Sequence, residues 1–127
     1  MNIVDSSGWL SYFADDGNAE LFSQPIEETE ALLVPSITLT EVFKNVLRQR
    51  GEEPALEAIA HMEQGTVTNL DNKLAINAAF FGVEYKLPLA DSIIYATTRK
   101  YDALLWTQNA DFQGLEQVRY FPRQEPS

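Results

Sequence analysis

Short apolar runs alternate along this chain with helical stretches of about ten residues or more, and that alternation leaves few folds open. Residues 2–4, 31–34, 103–106 and 118–121 read as strands, with a shorter one at 66–70. Between them, Trp9, Leu10, Tyr12 and Phe13 recur at helical spacing until Asp15-Asp16-Gly17-Asn18 breaks the pattern. A second helical stretch spans residues 19–30, interrupted by Pro25, and Pro35 bounds the strand that follows. Thr38-x-x-Glu41 has the form of a capping box, opening a helix with Val42, Phe43, Val46 and Leu47 on its apolar face and Gly51 at its end. Residues 52–64 form the next, with Leu56, Ile59, Ala60 and Met62 inward. Asp71 caps a long helix through Tyr85. Residues 88–101 are helical, with Ile93, Ile94, Ala96 and Thr97 facing in, and residues 109–114 make a turn. Strands joined by helices imply a parallel sheet with right-handed crossovers: an α/β fold with four or five short central strands flanked by helices.

Composition narrows the chemistry. A chain of 127 residues suits a single domain over 1–127, with residues 123–127 expected to fray. The absence of cysteine excludes disulfide scaffolds, thiol nucleophiles and thiolate zinc sites. The single histidine, His61, sits mid-helix away from every motif and excludes two-histidine metal motifs. No apolar run approaches the roughly 20 residues that span a bilayer, and the N-terminus lacks signal-peptide character, so a cytoplasmic protein without membrane partners is expected. With 19 acidic residues against 9 basic ones and a net charge of −10, broad charge-driven binding of nucleic acid is disfavoured. Nucleic acid remains possible where divalent cations supply the positive charge.

The carboxylates fall at the edge where parallel strands end and helices begin, the functional edge of such sheets. Asp5 follows the first strand. Glu41 lies early in the helix after the second. Asn109 and Asp111 follow the strand at 103–106. Asp91 opens a helix that returns to feed that strand from its far end, so its N-terminus must lie at the same edge. Asp5, Glu41, Asp91 and Asp111, far apart in sequence, therefore converge. Each also has a structural reading: Asp5 as a strand terminator beside a Ser7 helix cap, Glu41 as the capping-box partner, Asp91 and Asp111 as caps. Gathered together they repel, by about 4 kcal/mol per pair at ~4 Å and an effective dielectric of 20, while a helix N-terminus returns only about 0.3–1 kcal/mol. Protonation or cations must relieve the deficit. All-oxygen ligands select hard ions, so Mg²⁺ or Mn²⁺ is expected. Lys44 and Arg48, three and seven residues after Glu41, either meet a nucleic-acid backbone or form a solvated face.

Four segments together resemble the PIN-domain ribonucleases, and in size the VapC-type toxins of toxin–antitoxin pairs. Ile3-Val4-Asp5-Ser6-Ser7, Ser36-Ile-Thr-Leu-Thr-Glu41-Val, Leu87-Pro-Leu-Ala-Asp91-Ser-Ile-Ile-Tyr-Ala and Leu104-Leu-Trp-Thr107-Gln-Asn109-Ala-Asp111-Phe112 match the family's four acidic motifs in order. The resemblance implies a PIN-like fold and a metal-dependent endoribonuclease. Asp5, Glu41, Asp91 and Asp111 would bind one or two Mg²⁺ or Mn²⁺ ions. Thr107 would orient the cluster, with Ser7 supporting Asp5 or capping its helix. Asn109 stands where many members have Asp, which removes a charge from the second metal position. The resemblance also implies a homodimer, an RNA substrate, and a cognate antitoxin that inserts a segment into the acidic pocket. Trp9, Tyr12 and Phe13 either contribute to the antitoxin groove or pack the first helix. Haloacid-dehalogenase chemistry needs a second Asp where Ser7 stands, and receiver domains need a partner Lys that is missing. A non-catalytic acidic module, binding a cation or an Arg-rich peptide, is the competing reading.

Overall fold

A computed structural model describes residues 1–124, so most of the terminal segment expected to fray, residues 125–127, lies outside the described residues. Five strands, β1 (Asn2–Val4), β2 (Leu32–Pro35), β3 (Thr66–Thr68), β4 (Leu104–Thr107) and β5 (Val118–Tyr120), form one sheet in the order β3-β2-β1-β4-β5. Every neighbouring pair is parallel, as the alternation predicts. The crossovers are α1 (Ser6–Ala14) with α2 (Ala19–Glu27), α3 (Ser36–Arg50) with α4 (Glu52–Met62), and α5 (Asn72–Tyr85) with α6 (Leu89–Lys100).

The strands are short, but both faces are covered, so successive residues serve different cores. Val4, Leu32, Val34 and Trp106 pack with Trp9, Phe22, Val42 and Met62 from α1 to α4. Ile3, Leu33 and Leu105 point the other way, onto Ile94 and Tyr95 of α6 and Leu87 before it. Leu74 and Ala78 of α5 close against Ile93 and Ala96 of α6. Close packing is sharpest at Gly8 of α1: a Cβ there would stand 2.6 Å from Val4 Cγ1 and 2.9 Å from the Phe22 ring.

Several local expectations change. Pro35 does not bound β2; it is its last residue, and α3 starts directly after it. The capping box therefore does not form. Thr38 lies inside α3 and its hydroxyl donates to Pro35 O at 2.6 Å, which moves Glu41 beyond the first turn. Pro25 sits inside α2, where it lacks the N–H that would donate to Leu21 O, and the helix ends two residues later at Glu27. In α4 the buried stripe is Ala55, Ala58 and Met62, whereas Leu56 is 53% exposed and Ala60 faces solvent. The buried residues keep a helical 3–4 spacing, so the inward face is set by Ala55, Ala58 and Met62. Leu47 is exposed as well.

The order places β1 at the centre. The chain builds outward through β2 and β3, then crosses to β4 on the other side of β1, so the direction of winding reverses between β1 and β4. In open parallel sheets this crevice, at the carboxyl ends of the strands, is where ligands bind.

Candidate active site at the sheet's carboxyl edge

Asp5 stands at this crevice. Its backbone N–H donates to Trp106 O (3.2 Å), stitching the end of β1 to β4. It is also the N-cap of α1: its Oδ1 accepts from Gly8 N–H at 3.1 Å and from the Ser7 hydroxyl at 2.8 Å. The cap is thus Asp5 and not Ser7, which supports the carboxylate instead. Asp5 is only 2% exposed, and burial pushes its carboxyl up to about 6, although Ser7, Gly8 and Thr107 all favour the charged form.

Asp91 is not a cap either. It lies in the first turn of α6, whose N-cap is Pro88. Burial raises its carboxyl to about 7, reinforced by neighbouring Asp111 and Asp5 and opposed by Asn109. Asn109 joins the site together: its N–H donates to Thr107 Oγ1 (2.9 Å), its Nδ2 to Asp91 Oδ2 (3.1 Å), and its Oδ1 accepts from Asp111 N–H (3.0 Å). The cap of the short turn Ala110–Phe112 is therefore Asn109, and Asp111 is left exposed on it. Glu41 joins from α3 through Ser6, whose hydroxyl donates to Glu41 Oε1 at 2.5 Å.

Three contributors escape a reading of the sequence. Ser6 meets Glu41 across 35 positions, a separation that no local pattern encodes. Gln108 and Asn18 are buried: Gln108 Nε2 donates to Ser7 O (3.2 Å), and Asn18 Nδ2 donates to Gln108 Oε1 (3.0 Å) and Pro122 O (3.0 Å). Together they clamp the end of β4 against α1. Their only trace in the sequence is a polar pair beside acidic and turn motifs. Lys44 and Arg48 are exposed on α3. His61 lies away from this edge, ringed by Trp9, Tyr12 and Phe13 at 5.4–6.3 Å between centroids. Trp9 is fully buried in the core, while Tyr12 and Phe13 are partly buried.

The electrostatics leave one need unmet. The ion pairs among the described residues, Arg99–Glu116 and Lys100–Asp71, involve none of the four carboxylates. Asp111 and Asp5 both push the Asp91 carboxyl up, and no cationic side chain offsets them. The donors are all oxygen, the set a hard divalent cation takes. Yet among the described residues no three of His, Cys, Asp or Glu already form a cation site. The residue chemistry fits such an ion; a ready-made cage is not present.

Comparison with known proteins identifies the family and the fold. The sequence profile described as "PIN domain" matches residues 3–117. The chain belongs to the PIN domain family. Its sequence matches no curated protein. Among solved structures, this PIN domain is similar to a chain of a toxin–antitoxin complex from Klebsiella pneumoniae, at 22% identity and TM-score 0.81, covering 97% of this chain and 100% of that one. It is also similar to VapC20 of Mycobacterium tuberculosis, a Sarcin-Ricin loop cleaving toxin, at 18% identity and TM-score 0.74, covering 91% and 95%. DNA-bound VapBC from Salmonella typhimurium matches at 16% identity and TM-score 0.74, covering 95% and 96%. The PIN fold is thus shared over nearly the whole length of each. Among the described residues no helix of this PIN domain is long and apolar enough to cross a membrane.

Proposed function

We propose that this PIN domain is a Mg²⁺- or Mn²⁺-dependent endoribonuclease and the toxin of a toxin–antitoxin pair. The observation that carries the reading is the Asp5–Asp91 pair: two carboxyls held near neutral-range values at the winding reversal, with no cationic side chain beside them. A divalent cation at this edge supplies the missing charge and lowers the pKa of water, which is how such ions promote phosphodiester hydrolysis. Asp5 is the rigid ligand, fixed by Gly8, Ser7 and the β1–β4 stitch. Asp91 is aimed by Asn109, and its carboxyl would release its proton to solvent when a cation binds. Asp111, exposed on its turn, and Glu41, releasable from Ser6, complete the oxygen donors. In the hydrolysis a water oxygen bonds phosphorus as the bond to the 3′-oxygen breaks, giving a 3′-hydroxyl and a 5′-phosphate.

The test is a cleavage assay on structured and unstructured RNA with Mn²⁺ and with chelator. Cleavage that chelator stops and Asp91→Asn reduces at least about 100-fold supports the reading. Binding of Mn²⁺ or of an Arg-rich peptide without cleavage would favour the acidic interaction module instead.

Two partners belong to the same proposal. The solved relatives from Klebsiella and Salmonella are complexes of the toxin–antitoxin class, and we extend an antitoxin partner to this chain. The second partner is another copy of the chain. Ile76, Phe80 and Val83 of α5 form a stripe 61%, 68% and 84% exposed. An apolar stripe at helical spacing suits a two-fold, self-complementary interface. Phe80→Asp should convert a dimer to a monomer in light scattering, with the circular-dichroism spectrum unchanged; a wild type that is monomeric at high concentration rejects the dimer.

A further inference from the structure

Resting on the nuclease reading, we infer that Arg50 and Arg123 form a subsite for a phosphate of the RNA backbone flanking the scissile bond. Both line one cleft of about 210 Å³ beside the carboxylate edge. Its lining includes Ser7, which bonds Asp5, and Gln108, which clamps β4 to α1. Apolar side chains of α1 and α3 form its wall, with Gln49 and Arg50 from the last turn of α3 and Arg123 after β5. The chain after β5 is held in place, because Pro122 O accepts from Asn18, itself bonded to Gln108.

The two guanidiniums are available. Among the described residues neither forms an ion pair. Arg99 is committed to Glu116 and Tyr95, and Arg119 lies over the Trp106 ring at 4.7 Å. Asp16 also lines the cleft, its carboxylate accepting from the Ser11 hydroxyl, so the lining carries two cations and one anion in a chain of net charge −10. Planar guanidiniums suit phosphate oxygens, and the exposed Gln49 adds a neutral donor. Arg50 lies nine residues beyond Glu41 on the same helix, about 13 Å along its axis at 1.5 Å per residue. That reach addresses a flanking phosphate, not the reacting one. Lys44 and Arg48, the cations that sequence spacing singles out, are exposed on α3 and do not line this cleft.

The experiment measures anisotropy of a short fluorescent, mixed-sequence single-stranded oligoribonucleotide with the full chain in Ca²⁺, over a salt series, and cleavage of the same RNA in Mn²⁺. Arg50→Gln with Arg123→Gln should weaken binding about tenfold at low salt. The slope of log affinity against log salt should fall by about 1.4, as loss of two phosphate contacts to a single strand requires. KM should rise in parallel while kcat stays within about twofold. Lys44→Gln with Arg48→Gln should change both less, and an unchanged thermal midpoint verifies folding. Wild-type affinity, slope and KM in the Arg50/Arg123 variant, with cleavage intact, overturn the subsite and leave the nuclease reading standing. Absence of both binding and cleavage in the wild type overturns both. If polyglutamate binds the wild type as tightly as RNA and the double variant loses it equally, the cleft seats an acidic protein segment and the RNA assignment is overturned.

Discussion

Asp5 and Asp71 do the same local job. Each precedes a helix in extended backbone, and each accepts a hydrogen bond from the N–H three residues on, Gly8 at 3.1 Å and Leu74 at 2.8 Å. Their surroundings differ in every other respect. Asp71 is exposed, and the Leu74 N–H, followed by Lys100 with its ammonium at 3.5 Å, holds its carboxyl below the usual range. Asp5 is buried at the winding reversal, without a cation, and its carboxyl rises to about 6. Capping geometry is therefore silent about function. Desolvation without a counter-charge is what sets Asp5 apart from Asp71, and on the nuclease reading proposed above it marks the residue that does chemistry.

The largest effect should break the symmetry outright. Asn caps helices about as well as Asp, so Asp5→Asn and Asp71→Asn should both fold. Asp5→Asn should nonetheless lower RNA cleavage about 10²–10³-fold, while Asp71→Asn stays within about twofold of wild type. Equal rates in the two variants would erase the distinction.

The next effect is one of sign. Asp5 and Asp91 have folded values raised above the ordinary 3.8, so between about 4 and 7 the native state binds more protons than the unfolded chain. Stability of the metal-free protein then declines as pH rises through that window, by roughly 1–3 kcal/mol from Asp5. Asp71 acts the other way: its depressed value gives stability present above about 4 that is lost as pH falls further. Urea midpoints in chelator from pH 4 to 7.5 should show the decline, flattened in Asp5→Asn and preserved in Asp71→Asn. A rise across the window would contradict it.

The smallest effect isolates capping itself. Asp71→Ala removes the acceptor for Leu74 N–H and should lower the thermal midpoint by about 4 °C. Cleavage should be unchanged, and calorimetry alongside the assay reads both.

The sheet and its winding were legible because apolar runs of strand length and helical stretches alternate without ambiguity. The placement of Asp5 and Asp91 at one edge follows from topology, and in the structure Asp111 and Asp5 lie near enough to raise the Asp91 carboxyl. The local roles were harder to read. Ser7 and Asp5 both make good caps, and only the bond from Gly8 N–H decides between them. The Thr38-x-x-Glu41 pattern looked complete in sequence, but a strand that ends on Pro35 and turns directly into α3 left no place for a cap there. The face of α4 was misphased because Ala55 and Ala58 carry a weaker apolar signal than Leu56, yet small residues are what close helix packing takes. Ser6, Gln108 and Asn18 act across long sequence separations, where composition and spacing hold no information.

At Gly8 the catalytic edge and the core depend on a single missing methyl. Its N–H orients Asp5, and its bare α-carbon lets α1 press onto β1 and Phe22. Any larger residue would shift the helix and swing the carboxylate with it. A side chain at this position therefore disturbs stability and the aim of Asp5 by one and the same displacement.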